Sequence, residues 1–286
     1  MKKAILSVNI AVLLFGLAGL FAKWISLPSV GITFGRVLFS SVTLGLYMLI
    51  RRQPFRISSK ADLLLLILAG IVLALHWWAF LESIQRSSVA IGTITFSSFP
   101  LFVTFLEPIV FKKRLTAGNV LTALAVLVGV VITVPAFSFE DRYFQGIVIG
   151  MVSSLAYAVL TLMNKRFVNR YSGTQTAFCE QATAAVVLLP LALRANLQPS
   201  AADIGLLLFL GVVTTALAHT LFITSLKQLP AQLAGITSSM ETVYAIIFAW
   251  ILLREAPTAR EIAGAVIIIG AVLLSYYLED RKKKDP

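Results

Sequence analysis

The sequence predicts an all-α polytopic membrane protein: ten transmembrane helices arranged as two inverted five-helix repeats. Composition is the first reason. Of 286 residues, 58% are hydrophobic and 13% charged, whereas a soluble globular chain is about a quarter charged. Too little polar surface exists to coat a soluble body of this size. The second reason is the length of the apolar runs. They are continuous over about 20 residues, as a membrane helix requires, and do not alternate over about ten as barrel strands would. The third is a pattern that recurs at an offset of 142 residues.

Spans are expected at 4–24, 31–50, 62–84, 88–111, 117–136, 145–167, 173–193, 203–226, 230–253 and 260–278. Lys2 and Lys3 ahead of an apolar run imitate a signal peptide. That run is longer than a signal h-region and no A-x-A site closes it, so it reads as the first span. The repeats divide the chain at 1–141 and 142–286, within one integral-membrane domain. Leu13 pairs with Leu155, Lys23 with Lys165, Gly31 with Gly173, Phe80 with Phe222 and Ser83 with Ser225. Five spans per half is an odd number, so the second half enters the membrane upside down. Inverted-topology repeats mark secondary transporters, whose sites lie near the midplane between the repeats.

The formal net charge is +11. In a soluble protein that would suggest nucleic acid as a partner; here it reflects basic loops beside lipid headgroups, and no nucleic-acid partner is expected. With the N-terminus in the cytoplasm, the inner segments hold 17 Lys and Arg and the outer connections 6. That bias puts both termini in the cytoplasm. The lone Cys179 lies in an apolar segment and excludes an intrachain disulfide.

Polar residues at helical spacing show which spans line a cavity. The ninth span carries Glu241 near its middle, on a face with Ala234, Thr237, Ser238, Tyr244 and Ala245. A charge at that depth costs about 2.5–3.5 kcal/mol on insertion scales, so it faces protein or water rather than lipid. The second span has Thr33, Arg36, Ser40, Thr43 and Tyr47, and the fourth Thr93, Ser97, Pro100, Thr104 and Glu107. The sixth offers Ser154, Tyr157, Thr161 and Asn164; the seventh Gly173, Thr176, Glu180 and Thr183; the eighth Thr215, His219 and Phe222. In the third span His76 sits beside Trp77 and Trp78, with Glu82 near the outer end. Adjacent Trp residues point about 100° apart, so only one can face a cavity.

The candidate substrate-binding residues are therefore Glu241, Arg36, His76, Trp77, Trp78, Glu180, His219, Tyr157, Tyr244 and Ser238, with Pro100 as a hinge. The structural reading stands beside each. Ser and Thr stripes commonly hydrogen-bond helix to helix. Pro100 is most simply a kink. Arg36 either snorkels to the outer surface or pairs with Glu82. Spans five and ten differ: no polar side chain lies between Ile262 and Leu274, and the fifth offers only Gly118, Thr122, Ala125 and Gly129. Small stripes let helices pack closely. These two are expected outside the cavity, against the bundle, the lipid or a second protomer as in a homodimer.

No catalytic or metal set is visible. The two histidines are not spaced as H-E-x-x-H, Cys179 has no partner, and no G-x-x-x-x-G-K-[ST] run supplies a nucleotide site. No cofactor, enzyme activity or metal is expected.

Each half closes on motifs that resemble those of EamA-type members of the drug/metabolite transporter superfamily. The second half has Ser239-Met240-Glu241, then Leu253-Arg254-Glu255-Ala256-Pro257-Thr258, then Gly264-Ala265-Val266-Ile267-Ile268-Ile269-Gly270. They are similar to the family's M-E-P, (G/R)-E-x-x-(T/S) and G-x-x-x-I-x-x-G patterns. The first half has Ser97-Ser98-Phe99-Pro100 and Lys113-Arg114-Leu115-Thr116. It departs from the pattern at Lys113, where an acidic residue is common, and Thr242 replaces a proline. The resemblance implies export of small metabolites, amino acids or drugs by alternating access in a bacterial inner membrane, with helices five and ten peripheral. The resulting expectation is a secondary transporter of small polar, amino-acid-like molecules. A cationic drug exporter is the alternative, since Glu241 and Glu180 suit a cation; a membrane enzyme or scaffold is disfavoured.

Overall fold

The structure is a computed structural model that describes residues 2–112, 115, 117–132 and 141–284. Residues 113, 114 and 116 of the first-half motif, and the expected end of the fifth span, lie outside these. The described residues are helical, with no strand among them. We label the helical segments α1 (Lys2–Trp24), α2 (Ser29–Ile50), α3 (Lys60–Arg86), α4 (Val89–Phe111), α5 (Ala117–Ile132), α6 (Arg142–Phe167), α7 (Gly173–Arg194), α8 (Ala201–Ser225), α9 (231–253) and α10 (Ala259–Lys284). Among the described residues, eight of these segments, α1–α4 and α6–α9, are long and apolar enough to cross a membrane.

Side-chain caps set several starts. Ser59, Ser88, Asp141 and Ser172 accept hydrogen bonds from backbone N–H groups of the first turns of α3, α4, α6 and α7. Ser200 and Asp203 form a reciprocal capping box on α8. Thr258 and Glu261 do the same for α10, with Glu261 Oε2 accepting from the Thr258 N–H at 2.6 Å. The T/S of the family-like motif therefore works as a helix start.

Several devices recur 142 residues apart. Lys112 ends α4 and Arg254 ends α9, each in the left-handed region with φ of 51° and 59°. Lys23 Nζ donates to the Ser87 carbonyl, and Lys165 Nζ to the carbonyls of Leu226 and Leu229. The helix runs of α4 and α9 are both interrupted, at Ser97–Ser98 and at Ser239. For α4 the cause is chemical. Pro100 has no N–H to give the Phe96 carbonyl. The Ser154 hydroxyl of α6 bonds that carbonyl instead, at 3.1 Å. The two breaks adjoin: Ser97 and Thr242 are hydrogen-bonded through their hydroxyls, and Thr242 Oγ1 also bonds the Thr93 carbonyl at 2.8 Å.

The bundle core is one cluster drawn from α1–α4 and α6–α9. Close approaches are made at glycines. A Cβ added to Gly16 of α1 would stand 2.6 Å from Tyr244 Cβ and 3.2 Å from the Glu241 carbonyl oxygen. Only hydrogen there lets α1 and α9 come together. Helices α5 and α10 pack on each other rather than into that core. Gly129 faces the Gly264 carbonyl, 3.0 Å from where its Cβ would be. With α4 and α9 they build a separate apolar cluster of Ala90, Ile94, Val126, Ile246, Ile268 and Ala271.

Candidate functional site

A small cavity lies at the centre of the bundle. Its walls are Phe15 and Ala18 from α1, Arg36 from α2, His76, Trp77 and Phe80 from α3, Phe96 from α4, Tyr157 from α6 and Glu241 from α9. The first residue after the α9 break is Met240 and the next is Glu241, so the interruption sets the acid at the head of a helix run.

Arg36 is 1% exposed and Glu241 5%. Their charges interact across the cavity, but they form no direct ion pair. Arg36 Nε donates to Thr215 Oγ1 at 3.0 Å, and its guanidinium lies over the Trp77 ring, 4.1 Å from the centroid. Thr215 is aimed by a local irregularity. It sits in the π-helical run Leu210–Leu217 of α8, and its hydroxyl donates five residues back to the Leu210 carbonyl. Such π runs occur frequently at functional sites. The terminal nitrogens of Arg36 and the Glu241 carboxylate make no hydrogen bond within the protein among the described residues. An opposed donor fork and acceptor therefore face the same space with their capacity unused.

Aromatic rings enclose the rest. Tyr157 stands 4.6 Å from the His76 ring and 5.2 Å from Phe96, and its hydroxyl has no partner. His76 Nδ1 is 2.8 Å from Ser153 Oγ, which itself donates to the His76 carbonyl. That leaves Ser153 Oγ as acceptor and fixes the proton on Nδ1. The space open to the centre of a water molecule is about 20 Å³, room for about one water. An organic molecule enters only if the helices move.

The structure brings together five of the expected residues: Arg36, His76, Trp77, Tyr157 and Glu241. Glu180 and His219 lie off the cavity, joined to each other at 2.8 Å. His219 and Trp77 meet as a T-shaped ring pair, with ring centroids 5.4 Å apart. Trp78, half-buried, does not line the cavity, as the 100° argument required of one Trp. Tyr244 packs against Gly16, and the Ser238 hydroxyl returns to the Ala234 carbonyl at 3.0 Å. Pro100 occupies the first turn of the run Phe99–Phe111, directly after the α4 break.

One expectation is corrected. Arg36 does not pair with Glu82. Glu82 is held at the end of α3 by Arg86 Nε and by the Ser29 hydroxyl, each at 2.6 Å. Arg36 is turned inward to Thr215 and Trp77. Ser154 is engaged by Ser98 and the Phe96 carbonyl.

The model of the EamA-like transporter family matches the chain over residues 2–134 and over 144–277. The chain belongs to the EamA-like transporter family. It is a multi-pass membrane protein and a small-molecule transporter, not an enzyme. This EamA-like transporter is 23% identical to an uncharacterized transporter, YxxF, of Bacillus subtilis (strain 168), covering 95% of this chain and 89% of that one. It is 26% identical to the S-adenosylmethionine uptake transporter of Rickettsia bellii, over 89% of this chain and 86% of that one. It is 26% identical to the pseudopaline exporter CntI of Pseudomonas aeruginosa (strain PAO1), over 96% and 95%. A solved crystal structure aligns with a TM-score of 0.74 at 18% identity, over 98% of this chain and 99% of that one, a likeness of fold alone.

Sequence reasoning missed the apolar walls Phe15, Ala18, Phe80 and Phe96, and it placed Thr215 on the polar stripe of the eighth span without giving it a part in the site. An aromatic residue in so apolar a chain gives no periodic signal. The 142-residue offset held a usable one, because it relates Phe15 to Tyr157, Phe80 to Phe222 and Trp77 to His219. Phe222 touches both Phe15 and Tyr157, with centroids 6.1 and 5.6 Å apart.

Proposed function

We propose that this transporter exports small zwitterionic, amino-acid-like metabolites across a bacterial inner membrane by alternating access. The observation that carries the reading is the Arg36–Glu241 arrangement: two buried opposite charges on one cavity, apart from each other, with open hydrogen-bonding capacity. A planar guanidinium fork suits a carboxylate, and a carboxylate with aromatic neighbours suits an ammonium. Burying each charge is costly when nothing answers it. A zwitterion answers both. His76, Trp77, Phe80, Phe96 and Tyr157 supply apolar contact for its side chain.

Ten spans in two inverted repeats, 1–141 and 142–286, with both termini cytoplasmic, are the frame we propose. The paired caps at Lys112 and Arg254, the paired lysines 23 and 165, and the paired breaks of α4 and α9 support it. In this frame Pro100 and Ser239 are the hinges. The direction rests on the sequence resemblance; among the relatives one is named an exporter and another an uptake transporter.

The aromatic lining around Glu241 favours one second reading, a cationic drug exporter. Counterflow into proteoliposomes separates the two. The panel is phenylalanine and leucine, each with its amine-only and carboxylate-only analogue. Exchange that needs both groups supports the zwitterion. Exchange of the amines alone supports the cation reading, and exchange of none of them removes the amino-acid class.

A further inference from the structure

We propose that Glu180 of α7 and His219 of α8 form a proton-binding site, set behind the Trp77 ring, that senses the charge held in the cavity. Its role in transport rests on the reading above; its existence as a proton site does not.

The pair is sealed. Both residues are 0% exposed, and His219 Nε2 lies 2.8 Å from Glu180 Oε2. The far atom of each, Glu180 Oε1 and His219 Nδ1, has no hydrogen-bond partner. Asn164 of α6 is close enough to act on the Glu180 carboxylate, yet neither of its amide atoms has a bonded partner. Thr161 Oγ1 and Tyr157 Oη, each buried, are likewise unpartnered. Residues 157, 161 and 164 share one helical face. They make a polar stripe from the cavity, which Tyr157 lines, to the acid. Packing alone would not leave so many buried polar atoms unsatisfied in one place. Water and an exchangeable proton would satisfy them.

The protons balance simply. Neutral His219 carries one proton on a ring nitrogen. The site takes up a second, shared along the line from Nε2 to Oε2, and the pair as a whole is then uncharged. Release to water leaves a carboxylate beside a neutral imidazole, with a net single negative charge. That buried charge is costly unless a cation is near. The titratable groups around the pair are Tyr157, His76 and Cys179, which interact with it electrostatically. Beyond them Arg36 and Glu241 stand on the cavity. Trp77 is the wall between, with Arg36 over its face and the His219 ring steeply inclined to it. A charge entering the cavity therefore changes proton affinity behind the wall, and by linkage the reverse holds.

The test uses the proton itself as probe. The full chain in lipid nanodiscs is titrated between about pH 5 and pH 9, and pH-difference infrared spectra are recorded. A titrating carboxylic-acid carbonyl band is expected. Glu180→Gln should remove it, Glu241→Gln should leave it, and Arg36→Gln should shift its midpoint. An unchanged band in Glu180→Gln overturns the site, and an unmoved midpoint in Arg36→Gln overturns the sensing. If Glu180→Gln does not fold by tryptophan fluorescence, His219→Asn replaces it; a midpoint equal to wild type there also overturns the site. Counterflow with the amino-acid panel is read separately, so a wrong substrate class and a wrong proton site give different failures.

Discussion

The Arg36 guanidinium rests on the face of Trp77, 4.1 Å from the ring centroid, and not against a carboxylate. Thr215 holds its Nε at 3.0 Å. Stacking on one side and a bond on the other orient the fork so that its terminal nitrogens stay open to the cavity.

Arg36→Lys tests that orientation. A lysine keeps the charge but loses the planar stack and the bidentate geometry. A hydrogen bond to a charged group is worth about 1.5–3 kcal/mol, and about 1.4 kcal/mol is tenfold in affinity. We expect the half-saturating concentration of an exchanged amino acid to rise about tenfold or more in proteoliposomes. An unchanged value would return Arg36 to a structural role.

Pro100→Ala restores the N–H that the α4 break lacks. That donor competes with the Ser154 hydroxyl for the Phe96 carbonyl and favours a continuous helix. Higher thermal stability with slower exchange is expected. Equal exchange rates at raised stability would show that the break is not a hinge.

Gly129→Leu places a branched side chain against the Gly264 carbonyl and Ile268. Overpacking costs about 1–3 kcal/mol. Lower yield and a lower melting temperature are expected, with relative preference among amino acids unchanged, because α5 lines no part of the cavity. A changed preference at normal yield would contradict this.

Topology is checked with single cysteines in a Cys179→Ser background. Arg52 and Asn196 are both exposed loop residues. The 17 to 6 bias of basic residues predicts that an impermeant thiol reagent applied to intact cells labels Asn196→Cys and spares Arg52→Cys. The opposite pattern would invert the chain in the membrane.

Much of the architecture was legible because lipid leaves few options. Apolar length marks helices, and a charge at mid-span demands an interior. Glu241, Arg36, His76 and Tyr157 were found this way, and all line the cavity. The split between one cavity and the Glu180–His219 pair was not legible. Stripe arguments give the face of a helix but not its neighbour, so Glu180 and Glu241 looked alike. The two structural alternatives for Arg36, snorkelling or pairing with Glu82, left out its actual anchor for a related reason. The π run that brings Thr215 toward it shifts side-chain phase within α8, and helical spacing cannot foresee that.

Counterflow with the Glu241→Gln variant tests the central claim most directly. Glutamine keeps the shape and most of the hydrogen bonding but removes the charge that answers a substrate amine. In proteoliposomes containing folded variant at wild-type density, exchange of zwitterionic amino acids is predicted to fall at least about tenfold, the equivalent of losing one charged hydrogen bond. Wild-type exchange by that variant would contradict the account and reduce Glu241 to a packing residue.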